Sequence, residues 1–514
     1  MESFKQKLEC LEDGTRGWKI NSKRLVRIIE GEGKVGETGM SAMRPLPQLP
    51  VEVWENVINH LWDDQYALAQ CSLVCRAWYP PCRFHLHRKI MINTVRGVKA
   101  YAKELKQTPE LSKRAHDMFI GDFPHRIIDL STLWPAAILL ARKLPELERL
   151  RIWNSEWKPW TMHKDIFVHL SAFSVTRLDL HDVTFPSVTI FGRLVCALPC
   201  LVELECDNMD FTHDQFHRDT FGLYRNRVTI RSLWLEYPPL ESEKLMDFLA
   251  HPCISSHLQR CIFRYDHFYH HGRFKGEFQR LLNAASGSLS ELQLLLELGQ
   301  SERQTDTEVS AAERSVLSLA HNISLQRLWL CLKNIPQDSD LDSFGQALLS
   351  IESNQLREIV IVFIWLSSPT EIIEKVKNMF RNHESAHHEE MDNYLSSDPF
   401  RTLSKVEFAL SAVLDSVEAI TAVEEQWKQI FAPLFPRLTE RGILCDGTWV
   451  RRQLLIIAAV VSTADASRIP GHVSTLATMK VTLNWTAKAS TLVFPAPRSV
   501  VWSCGLSVRD PSYN

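Results

Sequence analysis

Five consecutive residues, His383-Glu384-Ser385-Ala386-His387, have the spacing that could do the most specific chemistry in this chain. On a helix, H-E-x-x-H sets two imidazoles on one face around a zinc ion and leaves the glutamate as general base for hydrolysis. The neighbours His388, Glu389, Glu390 and Asp392 are as polar as the motif, which suits an exposed loop or solvated helix rather than a dry cavity. No third ligand lies close by, Glu407 being the distant candidate, so a zinc hydrolase is the most remote of the readings the chain admits. His267, His270 and His271, in DHFYHHGRF, lack further ligands at a suitable spacing and read as a polar aromatic loop. Glycine-rich phosphate loops and serine nucleophile elbows are absent from the sequence. The expectation is a chain with no catalytic residue, no metal and no cofactor of its own.

A second kind of chemistry, docking, is written between Leu49 and Trp78, LPVEVWENVINHLWDDQYALAQCSLVCRAW. Val53, Val57, Ile58 and Leu61 fall on one helical stripe that Pro50 can open, because the first turn needs no donor from that nitrogen. Leu68, Cys71, Val74, Cys75 and Trp78 make a second apolar face, ended by Pro80-Pro81. A unit of two or three short helices is below the ~40 residues at which a core begins to stand alone. Some of its large apolar groups should therefore stay open to a partner.

These residues resemble the F-box family. The family pattern is met by Leu49, Pro50, Glu52 and Val53, by Ile58 and Leu61, and by Leu68, Cys71, Ser72, Leu73, Val74, Cys75, Arg76 and Trp78, over about 40 of 514 residues. Leu46-Pro47 repeats the Leu-Pro opening just upstream. The resemblance implies that this face binds a small Skp-family adaptor and, through it, the cullin of an SCF ubiquitin ligase. The residues expected to make that contact as a group are Leu49, Pro50, Val53, Ile58, Leu61, Leu68, Val74, Cys75 and Trp78, with some of them serving as the unit's own core.

Downstream, a pattern of leucine-like residue, two others, aliphatic, one other, aliphatic returns along the chain. It starts weakly at Ala115-Met118-Ile120, and clear copies stand at Leu147-Leu150-Ile152, Val175-Leu178-Leu180, Leu201-Leu204-Cys206 and Ile230-Leu233-Leu235. Further copies are Leu258-Cys261-Phe263, Leu289-Leu292-Leu294, Leu325-Leu328-Leu330, Leu356-Ile359-Ile361 and Leu403-Val406-Phe408. Between them, Phe191, Leu194, Val195 and Leu198 have helical spacing, and Leu144-Pro145 and Leu198-Pro199 stop helices before the next strand. Burying three inward side chains contributes about 4 to 9 kcal/mol per strand, whereas fixing some six residues costs roughly 6 to 12 kcal/mol. One unit cannot hold itself, so neighbours must stack.

This region resembles leucine-rich repeat proteins over roughly residues 110 to 412, with an irregular Asn after the strand: Asn154 and Asn208 lie near that place and Pro238 occupies another. The expected fold class is α/β, a small N-terminal helical F-box over 45–90 followed by an irregular solenoid of parallel strands and helical returns over 110–440. Residues between the inward ones should face the concave side. They include Arg149, Arg151 and Trp153; Arg177, Asp179 and His181; Glu203, Glu205 and Asp207; Ser232, Trp234 and Glu236; and Arg327 and Trp329. The expectation is a protein client held there, with Trp153, Trp234 and Trp329 as anchors, Arg151 beside them, and Glu203, Glu205 and Asp207 forming a negative patch.

Net charge is -3, with 58 basic and 61 acidic residues interspersed, which gives no general attraction to nucleic acid. Cys196, Cys261 and Cys331 lie in apolar stretches, as reduced thiols of a cytoplasmic or nuclear protein would. The longest aliphatic run, Leu454 to Val461, is short of the ~20 residues that span a bilayer, so no membrane is expected as a partner. Residues 1–44 read as a flexible leader, and 441–514, without Glu, as a poorly ordered tail. Two functional readings remain in front of the hydrolase: a substrate-recognition subunit of an SCF-type ligase, and an F-box scaffold that binds the adaptor but ubiquitinates nothing.

Overall fold

The computed structural model describes residues 50–62, 64–121, 127–213, 215–217, 228–238, 243–266, 272–297, 317–333, 345–365, 374, 387–412 and 417–448. The leader, most of the expected tail, His383 to Ala386 and the histidines at 267, 270 and 271 lie outside the described residues. The chain divides into two units, 1–452 and 453–514, and every described residue belongs to the first.

Three short helices come first: α1 (Val51–His60), α2 (Gln65–Val74) and α3 (Tyr79–Leu86). The helix of the second apolar face does end before Pro80-Pro81, at Val74, and the two prolines open α3 from its first turn, where a proline has no hydrogen bond to lose. A parallel sheet of fourteen strands follows among the described residues, its main path running β1-β2-β4-β5-β6-β8-β9-β10-β11-β12-β13-β14. The strands on that path are β1 (Lys89–Ile92), β2 (Asp117–Gly121), β4 (Arg149–Glu156), β5 (Arg177–Ser187), β6 (Glu203–Asp207), β8 (Ser232–Glu236), β9 (Arg260–Asp266), β10 (Glu291–Glu297), β11 (Arg327–Lys333), β12 (Glu358–Trp365), β13 (Lys405–Ala412) and β14 (Leu444–Thr448). Two short strands, β3 (Ile128–Asp129) and β7 (Asp210–His213), pair with β4 and β5 beyond it. The sheet thus begins at Lys89 rather than near 110, and α4 (Val95–Gln107) belongs to the solenoid.

In every clear copy of the repeat pattern the last two apolar residues land on one of these strands and the first lies two residues before it, all three buried. Leu150 and Ile152 sit beside Leu178 and Leu180, then Leu204 and Cys206, then Leu233 and Leu235, in one unbroken register. They join the apolar faces of the returning helices in a single core, α5 (Leu133–Leu140) and α7 (Val188–Cys196) among them. Just before each strand, a carbonyl accepts backbone N–H groups from the next unit: Thr176 from Val202 and Glu203, Val202 from Arg231 and Ser232, and Arg231 from Gln259 and Arg260. Stacking satisfies those backbone groups as well as burying leucines, which is why no unit stands alone.

The far end is closed by aromatics. Trp427 and Phe431 of α12 (Val417–Leu434) pack on Phe363 and Phe408, and the Trp427 indole N–H donates to the Phe408 carbonyl at 2.8 Å. The buried Asp392 carboxylate, on α11 (His387–Leu395), accepts the backbone N–H groups of Arg437 and Leu438 at 2.9 and 3.0 Å. Those two open the short helix α13 (Pro436–Glu440), so an acid from another element satisfies donors that its first turn leaves unpaired.

The irregular asparagine has a physical account. Asn154, Asp182, Asn208 and Tyr237 all have φ near +50°, one residue past the paired positions Trp153, His181, Asp207 and Glu236. Asn and Asp tolerate this left-handed backbone, and Tyr237 occupies it at a cost. Gly121, opposite Trp153, has φ +149°, and a Cβ there would lie 2.4 Å from the Trp153 carbonyl oxygen. Gly121→Ala is expected to cost about 2 to 4 kcal/mol, more than strain alone because the obstruction is backbone. Thermal melting checks this, and a loss below about 1 kcal/mol would show that the first strands yield readily.

Candidate functional site

The N-terminal helices are built with too little interior. Ile58, Leu68 and Cys82 are their whole buried core among the described residues, with Leu61, Cys71, Trp78 and Leu86 packed around it. Trp54 of α1 meets Trp78 with ring centroids 4.6 Å apart, and the Asp64 carboxylate accepts the Ala67 N–H at 2.9 Å to start α2. What remains outside is strongly apolar: Val53, Val57, Trp62, Tyr66, Leu73, Val74, Tyr79 and Phe84 are all exposed, Val74 at 64%. Of the nine expected contact residues, Pro50, Val53, Val74 and Cys75 lie on that surface. Leu61 and Trp78 are half-buried, Ile58 and Leu68 are interior and act through packing, and Leu49 lies outside the described residues.

Part of the missing wall comes from the solenoid. Arg83 of α3 pairs with Glu104 of α4 at 2.7 Å, the Gln65 side-chain amide donates to the Lys89 carbonyl on β1 at 3.2 Å, and the Arg114 guanidinium lies 3.9 Å from the Phe84 ring centroid. Arg88 covers Trp62 in the same way at 4.7 Å. Trp62 and Phe84 are thus tied into the first units, whereas Val53, Val57 and Val74 take no part in these ties and stay exposed.

A second candidate surface is the sheet face turned away from the helices. It carries Arg151, Trp153, Glu203, Glu205, Asp207, Trp234 and Trp329, all half-buried, in the columns expected from alternation. The expected negative patch is corrected by what stands beside it. Arg177, in the same column as Glu203, pairs with Glu203 at 3.3 Å and also with Glu205, and His181 pairs with Asp207 across the strand and with Asp182 at 3.0 Å. Asp179 is buried beneath three guanidiniums, pairing with Arg149, with Arg177 at 2.9 Å and with Arg151 at 3.6 Å, while Arg151 also meets Asp117 at 2.9 Å. Arg264 pairs with Glu236 one strand further. The acids form a lattice with cations from neighbouring units rather than a bare patch.

Burial decides how that lattice titrates. Desolvation raises the pKa of Asp117, Glu205 and Glu236 despite their arginines. At His181 burial opposes the charged ring, but hydrogen bonds to Asp182 and Asp207 outweigh it and push the pKa up to about 10. The folded value lies above the ordinary one, so this stabilisation is complete below about pH 6.5 and disappears as pH rises through about 10. His181→Gln should remove roughly 2 kcal/mol at pH 7 and almost nothing at pH 10.5. Melting both proteins across that range is the check, and a gap that does not shrink with pH contradicts it.

Sequence reasoning placed the acids and the cations on one face but not their pairing. The signal was available: aligning units on their first leucine puts Arg149, Arg177 and Glu203 in one column. Among the described residues no group of three or more His, Cys, Asp or Glu is placed to hold a metal, and Glu407, the distant zinc candidate, is buried against Lys405 at 2.6 Å. Cys196 and Cys261 are buried in the leucine core, and Cys331 is buried on β11 on the same side as Trp329. No described helix is long and apolar enough to cross a membrane.

No protein-family model matches the chain, and no curated protein matches it. Among solved structures it is similar, at 12% identity and a TM-score of 0.29, to a chain of the crystal structure of the Rad7 and Elc1 complex in yeast, with 82% of this chain and 90% of that one covered. A chain of the TLR13–ssRNA13 complex is similar at 12% identity and a TM-score of 0.21, over 60% of this chain and 44% of that one. Likenesses this distant leave fold and site to rest on the chain's own geometry, an α/β repeat solenoid bearing an apolar three-helix unit.

Proposed function

We propose that this chain is a substrate-recognition subunit of an SCF-type ubiquitin ligase, in which the three-helix unit grips a Skp-family adaptor and the solenoid's open face holds a protein client. The observation that carries the reading is the unit's surface: exposed Val53, Val57 and Val74 around a core of three residues, on a segment with the F-box order Cys71-Ser72-Leu73-Val74-Cys75-Arg76 followed by Trp78. A face so apolar is stabilised by covering it. The chain contributes no catalytic group in this reading. It raises the local concentration of client beside the ligase machinery, with the ties Arg83–Glu104 and Arg114–Phe84 joining the adaptor-binding unit to the repeats.

The competing reading is a scaffold that binds the adaptor without delivering a client. Affinity capture of the wild type against a Val74→Asp, Trp78→Ala double variant tests both, with captured proteins identified by mass spectrometry. Adaptor and cullin should depend on the three-helix unit while a separate set stays with the repeats and accumulates when the chain is depleted. Adaptor without any such set favours the scaffold, and no adaptor at all removes both readings.

A further inference from the structure

Two tryptophans on the open face stand in one row. Trp234 of β8 is in register with Ile262 of β9, that with Gln293 of β10, and that with Trp329 of β11. Both rings are half-buried, with buried Ile262 and half-buried Gln293 as the floor between them. Three strand spacings separate them, about 14 Å at ~4.8 Å each. Alongside runs a charged row, Arg260, Glu291 and Arg327, in register on β9, β10 and β11. The single, nearly buried Glu291 carboxylate holds both cations, Arg260 at 3.1 Å and Arg327 at 2.5 Å. The row continues to Glu358 on β12 and Lys405 on β13, which pair with each other at 2.9 Å, so it keeps one cation in excess, and the Arg260 and Arg327 side chains stay 50% and 54% exposed.

The spacing discriminates between shapes of ligand. Along a chain crossing the strands, about 14 Å is four residues of extended backbone at ~3.4 Å each, and residues i and i+4 of such a chain point the same way. In an α-helix the same interval is nearly ten residues at ~1.5 Å, about 2.7 turns, which turns the second side chain away from the sheet. We infer that the open face from β8 to β11 binds an extended client segment with apolar side chains at i and i+4 seated on Trp234 and Trp329 and an acidic residue in or beside that interval held by Arg260 and Arg327. This rests on the reading of the open face as the client-holding surface.

The probe is a library of random 12-residue peptides displayed on phage, selected against the full chain co-purified with a Skp-family adaptor. The expected result is enrichment of apolar pairs four residues apart with a nearby Asp or Glu, and a synthetic copy of a selected peptide that binds Trp329→Ala at least about tenfold more weakly. Arg327→Glu should reverse the selected charge from acidic to basic, and because it also takes a partner from Glu291, thermal melting of the variant is run alongside to separate binding from folding. Helical spacing, no enrichment, or a charge preference that Arg327→Glu leaves intact would overturn the inference. Retention of the adaptor in the same preparation reports on the three-helix unit separately, so loss of one result does not mask the other.

Discussion

Replacing Val74 with aspartate should weaken binding of a Skp-family adaptor by at least about 100-fold while leaving the chain folded. Val74 ends α2 with 64% of its surface exposed, so the unbound protein loses almost no packing and its stability should change by no more than about 0.5 kcal/mol. In a complex that covers this face the aspartate must shed water without a partner, and a penalty near 3 kcal/mol corresponds to the expected factor. Val57→Asp, on the neighbouring helix and also exposed, should act in the same direction. Binding measured with purified components, alongside thermal melting of each variant, separates docking from folding. Undiminished binding by both variants would place the adaptor elsewhere.

Asp179→Ala should be the most damaging single change on the open face, lowering stability by about 3 to 5 kcal/mol. Asp179 is buried and pairs with Arg149, Arg151 and Arg177, so truncation leaves three guanidiniums crowded with one acid fewer. Glu203, more exposed and joined among the described residues to Arg177 alone, is the internal comparison: Glu203→Gln should cost less than about 1 kcal/mol. Hydrogen exchange would locate the effect of Asp179→Ala in β4, β5 and β6, because stacked units open locally. Equal, small losses for both variants would mean that water screens the lattice throughout.

Much of this architecture was legible in the residue order, for a reason the structure makes plain. A buried strand that alternates must write its apolar residues two apart, and the last two of every clear copy, from Leu150-Ile152 to Val406-Phe408, do so. Less legible were the ends. β1 has only Ile90 and Ile92 to announce it, and Pro80-Pro81 looks the same whether it closes one helix or opens another. The docking surface could be read as apolar but not divided, since Ile58 and Val57 are adjacent, chemically alike, and on opposite sides of the burial boundary. The open face was misjudged in its charge because partners such as Arg177 and Glu205 are 28 residues apart in the chain and one strand apart in space. Pairing is a property of the stack, and no single repeat shows it.

The most direct measurement is calorimetric titration of a purified Skp-family adaptor into the full chain at several temperatures. Covering the valine-rich face of α1 and α2 predicts saturable one-to-one binding with a negative heat-capacity change, the mark of apolar burial. A folded chain that takes up no adaptor, or takes it up with no change in heat capacity, would contradict the account.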